Sequence, residues 1–92
     1  MNHRAVLVRI SGRVQGVSYR VWTQREARRL DLNGWVRNER DGSVTALISG
    51  TEEAVASMLE ACWQGPPGAE VRSVVQEVAD PTGVPAGFDI TG

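Results

Sequence analysis

The segment Gly12-Arg13-Val14-Gln15-Gly16-Val17-Ser18-Tyr19-Arg20 carries the residue pattern of this 92-residue chain that is best suited to chemistry. Its two glycines lie between a predicted strand and a predicted helix, so several backbone N–H groups can converge on one point and bind an anion. The positive end of the helix dipole strengthens such a site. Arg20 adds a planar, permanently charged guanidinium that can bind two phosphate oxygens. The pattern predicts a phosphate-binding loop, although a glycine turn followed by an arginine also occurs in loops without a ligand.

The elements on either side of the loop are predicted from hydrophobic periodicity. Residues 5–11 alternate between apolar and more polar positions, which predicts a strand. After the loop, residues at spacings of three and four form one face of a helix. The members of that face are Tyr19, Thr23, Ala27 and Leu30. Asn33 and Gly34 both tolerate left-handed backbone, and they predict the end of this helix.

The middle of the chain has the pattern of a β-hairpin. Residues 35–38 predict a second strand and residues 44–49 a third. Between them stand Asp41 and Gly42, a dipeptide typical of tight hairpin turns. The two strands are therefore expected to pair in an antiparallel way.

A second helix is predicted next, with Thr51 as its N-cap and with Glu52 and Glu53 in its first turn. Its apolar stripe consists of Val55, Met58, Leu59 and Cys62. Gly65, Pro66 and Pro67 stop it. Valine-rich residues 71–79 predict a fourth strand, and residues 88–90 predict a short edge strand.

The resulting order, βαββαβ, is that of a ferredoxin-like α+β sandwich, an antiparallel sheet with two helices packed on one face. One such domain is expected to span residues 1–92, because half of this length would be too short to bury a core. The topology carries many unrelated functions, so the function has to be argued from the site.

Two motifs resemble those of the acylphosphatase family. The segment Gly12 to Val17 followed by Arg20 is similar to the first motif, and Gly34-Trp35-Val36-Arg37-Asn38 with Gly42, Val44 and Gly50 is similar to the second. The resemblance extends over essentially the whole chain. One departure is Tyr19, where the family commonly has Phe, and its hydroxyl group requires a hydrogen-bond partner or water.

The resemblance implies a small, metal-free enzyme that hydrolyses acyl phosphates to a carboxylate and inorganic phosphate. Carried over to this sequence, the family's site implies that Arg20 and the backbone amides of the loop bind the phosphoryl oxygens, and that Asn38 orients the attacking water. The loop residues concerned are Gln15, Gly16, Val17, Ser18, Tyr19 and Arg20. The expected partner is a small acyl phosphate, and the protein is expected to be a free-standing monomer without a cofactor.

Composition limits the other functions that the chain can have. The hydrophobic fraction of 41% and the net charge of -1 are ordinary for a globular protein, and they argue against disorder. There is no run of about 20 apolar residues and no secretory signal, which predicts a cytoplasmic protein without a membrane partner. The single cysteine, Cys62, and the single histidine, His3, give no metal-binding pattern.

Two alternatives remain open on the sequence. Nine of the ten arginines lie between Arg4 and Arg40, so the chain could be a noncatalytic module that binds anions or RNA. Against this, no pair of aromatic residues alternates on the predicted central strands. The second alternative is a carbamoyl-phosphate-handling accessory domain, because similar domains occur within larger maturation proteins.

Overall fold

The structure is a computed structural model that describes residues 3–92. Its elements are β1 (His3–Arg13), α1 (Tyr19–Arg29), β2 (Asn33–Asn38), β3 (Val44–Thr51), α2 (Glu52–Cys62), β4 (Glu70–Ala79) and β5 (Phe88–Ile90). The predicted order of helices and strands is confirmed, and so is the ferredoxin-like α+β class. Neither helix of the described residues combines the length and the apolar character that crossing a membrane requires.

The five strands form one sheet in the order β4-β1-β3-β2-β5. β2 pairs with β3 in an antiparallel way, as the hairpin pattern predicts, and β1 pairs in the same way with β3 and β4. The edge strand β5 differs, because it runs parallel to β2 and makes the sheet mixed. The reason lies in the topology: the connection 80–87 carries the chain from β4 at one edge to the free side of β2 at the other.

The core lies between the sheet and the two helices. The alternation in β1 turns Val6, Val8 and Ile10 inward, and each is almost fully buried. The apolar faces predicted for the helices meet them in a single cluster. The buried members from the helices are Tyr19, Ala27, Val55, Met58 and Cys62. Both helices therefore cover the same face of the sheet.

The helix ends show why the boundaries fall where they do. Thr51 caps α2 as predicted, because its side chain accepts a hydrogen bond from the Ala54 amide at 3.2 Å. The predicted end of α1 at Asn33 and Gly34 is wrong. Asp31 takes the left-handed conformation with φ 60°, and the Leu32 amide donates to the Ala27 carbonyl at 2.8 Å in a Schellman motif. This turn closes early because it buries Leu32 in the core.

Gly12 belongs to β1 rather than to the loop. The register between β1 and β4 shifts between Ser11 and Gly12, and β1 continues to Arg13. A Cβ atom at Gly12 would lie 2.1 Å from the Glu70 carbonyl oxygen. This glycine therefore permits a close approach of two strands at a bulge, and the loop itself is shorter than the sequence predicted.

Gly34 and Gly42 provide a matched test of close strand packing. Both have positive φ, 140° and 93°, but a Cβ atom at Gly34 would lie 1.8 Å from the Leu47 carbonyl oxygen, whereas nothing lies within 4 Å at Gly42. We expect Gly42→Ala to lower the free energy of unfolding by about 1–2 kcal/mol, the cost of left-handed backbone. Gly34→Ala should lower it by about 3–5 kcal/mol, because β2 and β3 must also separate. Urea denaturation of both variants measures this, and equal losses would contradict it.

Candidate active site

Residues 14–18 connect β1 to α1 and form the loop at the centre of the site. Gly16 and Ser18 have positive φ, 76° and 65°, on either side of Val17. Left-handed residues in such a turn allow consecutive N–H groups to point to one side and form a concavity for an anion. Ser18 also stands at the N-cap of α1, where its side chain makes no capping hydrogen bond.

The amides of residues 15–20 are free to bind a ligand. Among residues 3–92, the backbone hydrogen bonds of turns, loops and caps include none that is donated by one of these amides. The first turn of α1 contains no acidic residue that would compete for the positive end of the helix dipole. The loop and the helix start therefore present unpaired donors and no opposing charge.

Gln15 attaches this loop to the β2–β3 hairpin. Its side-chain amide donates to the Glu39 carbonyl at 2.8 Å and to the Ser43 carbonyl at 2.9 Å. The hairpin turn is held in its own right, because Asp41 Oδ1 accepts from the Ser43 amide at 2.9 Å. Since Asn38 directly precedes this turn, Gln15 fixes the distance between the loop and Asn38.

Tyr19 anchors the loop from the core side. Its hydroxyl donates to the Cys62 carbonyl at 2.6 Å, which answers the need for a partner raised by this departure from the family pattern. Burial, followed by the neighbouring Cys62, raises the pKa of Tyr19 far above its ordinary value. Thr23 Oγ1 donates to the Tyr19 carbonyl at 2.8 Å, so both ends of the residue are held.

The loop, Arg20 and Asn38 line one pocket of about 420 Å³. Its lining residues are Val14, Gln15, Gly16, Ser18, Tyr19, Arg20, Val21, Asn38 and Ile90. Arg20 and Asn38, which are far apart in the sequence, thus face the same space. Val17 does not line the pocket, because its side chain packs against the core cluster.

The C-terminal segment contributes to the site in a way that the sequence does not indicate. The Gly92 carbonyl accepts hydrogen bonds from Arg20 Nη1 and, at 3.3 Å, from the backbone N–H of Asn38. Ile90 lines the pocket from β5. No local pattern marks these residues, because their position depends on the parallel pairing of β5 with β2.

Charge in the pocket is confined to one group. Among the lining residues that the structure describes, Arg20 is the single charged side chain, and none is a histidine or a carboxylate. Within residues 3–92 there is also no group of three or more His, Cys, Asp or Glu side chains that could hold a metal ion. Such a pocket can bind an anion and stabilise negative charge, but its lining offers no side chain that titrates near neutral pH.

Comparison with known proteins gives a consistent set of relatives. A family model described as Acylphosphatase matches residues 6–90. The acylphosphatase of Sinorhizobium medicae is 61% identical over 90 residues, which are 98% of this chain and 96% of the relative. The crystal structure of acylphosphatase from Bacillus subtilis has a TM-score of 0.91 and 35% identity, and it covers 96% of this chain and 98% of its own. An acylphosphatase structure from Coxiella burnetii has a TM-score of 0.90 and 33% identity over 98% and 94% of the two chains.

The attachment of the loop through Gln15 can be tested by replacing its hydrogen-bond donor with a group that only accepts. In Gln15→Glu a carboxylate faces the two carbonyl oxygens, so two hydrogen bonds become repulsive contacts. We expect a loss of about 2–4 kcal/mol in the free energy of unfolding. We also expect roughly a 10²-fold fall in kcat/KM, because the loop and Asn38 are no longer held in register. Gln64→Glu adds the same charge at an exposed position and should match the wild type in denaturation and turnover.

The buried pair Tyr19 and Cys62 predicts a loss of stability in alkali. Burial raises the pKa of Cys62 from 9.0 to about 11 and raises that of Tyr19 as well. Both groups are neutral in the fold and ionise more readily in the unfolded chain, so the stability that they contribute is complete below pH 9 and declines as the pH rises above it. The chain has no lysine to mask this effect, since all ten of its basic residues are arginine.

Urea denaturation between pH 7 and 11 measures this decline, and absorbance of tyrosinate reports Tyr19 alone because it is the single tyrosine. Tyr19→Phe should cost about 1–3 kcal/mol at pH 7, since the Cys62 carbonyl loses its donor. The same variant should decline less steeply than the wild type above pH 10. Ionisation of Tyr19 near pH 10 in the folded protein would contradict the argument.

Proposed function

The chain belongs to the acylphosphatase family and hydrolyses acyl phosphates, and we propose that it does so with Arg20, Asn38 and the amides of residues 15–20. The observation that carries this proposal is the common pocket, which combines unpaired loop amides, one guanidinium and one carboxamide. Each of the three parts has a separate task in the transfer of a phosphoryl group to water.

The loop and Arg20 hold the phosphoryl group. Its transition state is loose and spreads negative charge over the equatorial oxygens, so fixed donors around these oxygens lower the barrier. The amides of residues 15–20 and the dipole of α1 provide such donors on one side. Arg20 adds a bidentate contact on the other, and its hydrogen bond to the Gly92 carbonyl holds the guanidinium beside the pocket.

Asn38 positions the water. A carboxamide does not titrate, but its oxygen can accept a hydrogen bond from the water molecule. This contact orients the water so that a lone pair on the water oxygen points toward phosphorus. The water oxygen forms the new bond to phosphorus, and the bond between phosphorus and the acyl oxygen breaks. The proton of the water passes to an oxygen of the substrate phosphate, since the described pocket lining has no carboxylate or histidine to take it.

The leaving group explains why no acid is needed in the pocket. An acyl phosphate leaves as a carboxylate, whose conjugate acid has a pKa of about 4. The bond can therefore break without protonation of the leaving oxygen, and general-acid catalysis by a histidine would add little. The chemistry also requires no metal or organic cofactor.

The open face of the sheet bears on the RNA-binding alternative. That face has one aromatic residue among its central positions, Trp35, and the guanidinium of Arg37 lies 4.6 Å from its ring centre. Arg37 also contacts Glu39 at 3.2 Å, so its charge is already paired. A stacking platform needs two or three neighbouring aromatic faces. Among the described residues this surface has one, Trp35, which Arg37 covers in part, so the exposed Arg9 beside it has no platform to serve.

The remaining properties follow from the same proposal. Residues 1–92 act as one domain, which is supported by the single sheet and single core over the described residues. The protein works as a cytoplasmic monomer on a small substrate, without nucleic acid or a role as a carbamoyl-phosphate accessory. The monomer is supported by a pocket that residues of one chain line. The free-standing role is supported by the acylphosphatase of Sinorhizobium medicae, which the match covers to 96% of its length.

Substitution of the two side chains tests the proposed roles. With acetyl phosphate or benzoyl phosphate as substrate and a chelator present, the wild type should remain active. Arg20→Ala should lower kcat/KM by about 10³-fold or more, and Asn38→Ala should lower kcat by about 10²- to 10³-fold. Circular dichroism checks that each variant is folded.

Arg25→Ala provides the matched control for Arg20. Arg25 is exposed on the same helix and does not line the pocket, so this variant should keep the turnover of the wild type. A folded Arg20 or Asn38 variant with near-normal turnover would show that the proposed chemistry is wrong.

A further inference from the structure

Two partly exposed apolar side chains line the phosphate pocket, and the reaction described above does not use them. Val21 on α1 and Ile90 on β5 are 47% and 37% exposed, and both line the pocket. We propose that Val21 and Ile90 form an acyl subsite that makes this enzyme prefer acyl phosphates with an apolar, uncharged acyl group. This inference rests on the proposed function, because it assumes that the phosphoryl group lies on the loop.

The position of the two residues is what distinguishes them from ordinary surface residues. Single exposed apolar side chains are common and need no explanation. Here, however, two such side chains come from different elements and converge on one pocket, with the buried Val14 also in its lining. Val21 directly follows Arg20, and Ile90 pairs with Val36, two residues before Asn38. The apolar groups thus flank both residues that handle the phosphoryl group.

Charge in the pocket supports the same substrate class. Arg20 is the single charged side chain among the described lining residues, and its guanidinium is already bound to the phosphoryl group of the substrate. An acyl group with a second carboxylate would therefore find no cation, and one with an ammonium group would find no carboxylate. Either would lose hydration without gaining an ion-pair partner, whereas an apolar group would gain contact with Val21 and Ile90.

The pocket has room for an organic group in addition to the phosphoryl group. Its volume of about 420 Å³ lies within the range of small-molecule sites. Apolar contact in such a site discriminates between substrates by roughly fourfold for each methylene group that is removed from water. Contact with two half-exposed side chains is therefore enough to produce a measurable preference.

The experiment compares kcat/KM for benzoyl phosphate with that for acetyl phosphate in each variant, so that differences in intrinsic reactivity cancel. Val21→Ser and Ile90→Ser should each lower the benzoyl-to-acetyl ratio by roughly fourfold, and the double variant by about tenfold. Inhibition by inorganic phosphate should not weaken, because phosphate contacts the loop and Arg20. If Ile90→Ser fails to fold, Val21→Ser decides the question, since Val21 lies on the exposed side of a helix.

Val75→Ser is the matched control. Val75 is 61% exposed on β4, lines the opposite face of the sheet, and should leave the ratio unchanged. A ratio that stays constant in Val21→Ser and Ile90→Ser, or an equal fall for both substrates, would overturn the acyl subsite while the proposed function stands. A wild-type protein that hydrolyses neither substrate would contradict both.

Discussion

The double hydrogen bond from the Gln15 side chain to the hairpin determines how the rest of the site is arranged. Its amide contacts the carbonyl groups of Glu39 and Ser43, which flank the turn between β2 and β3. The loop follows β1 and Asn38 ends β2, two strands that both pair with β3, and the Gln15 contact ties the loop itself to the turn beyond Asn38. A phosphoryl site made of backbone amides depends on such a contact, because amides cannot adjust to the ligand as flexible side chains do.

The shape of the loop has an energetic cost that neighbouring contacts offset. Ser18 is a non-glycine residue in the left-handed conformation, which costs on the order of 1–2 kcal/mol. The Ser18 carbonyl accepts from the Trp22 amide at 3.0 Å, and the adjacent Tyr19 is held through the Cys62 carbonyl. Strain at a site of this kind persists because the surroundings leave the backbone no alternative. The helix N-terminus is thereby kept open toward the pocket.

The features that the sequence predicts correctly are those that depend on local patterns. The alternation of Val6, Val8 and Ile10 and the spacing of Val55, Met58 and Cys62 give the core, because burial follows directly from the geometry of a strand or a helix. The Thr51 cap is equally local. Asp31 was missed because several polar residues tolerate left-handed backbone, and the burial of Leu32 decides which of them adopts it.

The features that the sequence does not predict depend on contacts between distant residues. The sequence around Gln15 does not indicate that its side chain contacts residues 24 and 28 positions away. The contact of Arg20 with the Gly92 carbonyl joins residues 72 positions apart. For Arg20 and Asn38, a resemblance between motifs indicated a shared site, whereas periodicity gave only the elements that carry them. Val21 and Ile90 were missed because exposed apolar residues have no distinctive pattern.

The docking of β5 beside β2 also sets the order in which the site can be assembled. A chain that has been synthesised as far as β4 already contains the loop, Arg20 and Asn38, but it lacks Ile90 and the Gly92 carbonyl. Because synthesis proceeds from the N-terminus, Ile90 and the Gly92 carbonyl emerge after the loop, Arg20 and Asn38. Pairing across more than fifty residues is also slow, since a long segment of chain has to be closed first. The support that the Gly92 carbonyl gives to Arg20 and to the Asn38 backbone therefore forms only after the whole stretch of polypeptide from Asn38 to Gly92 has been made.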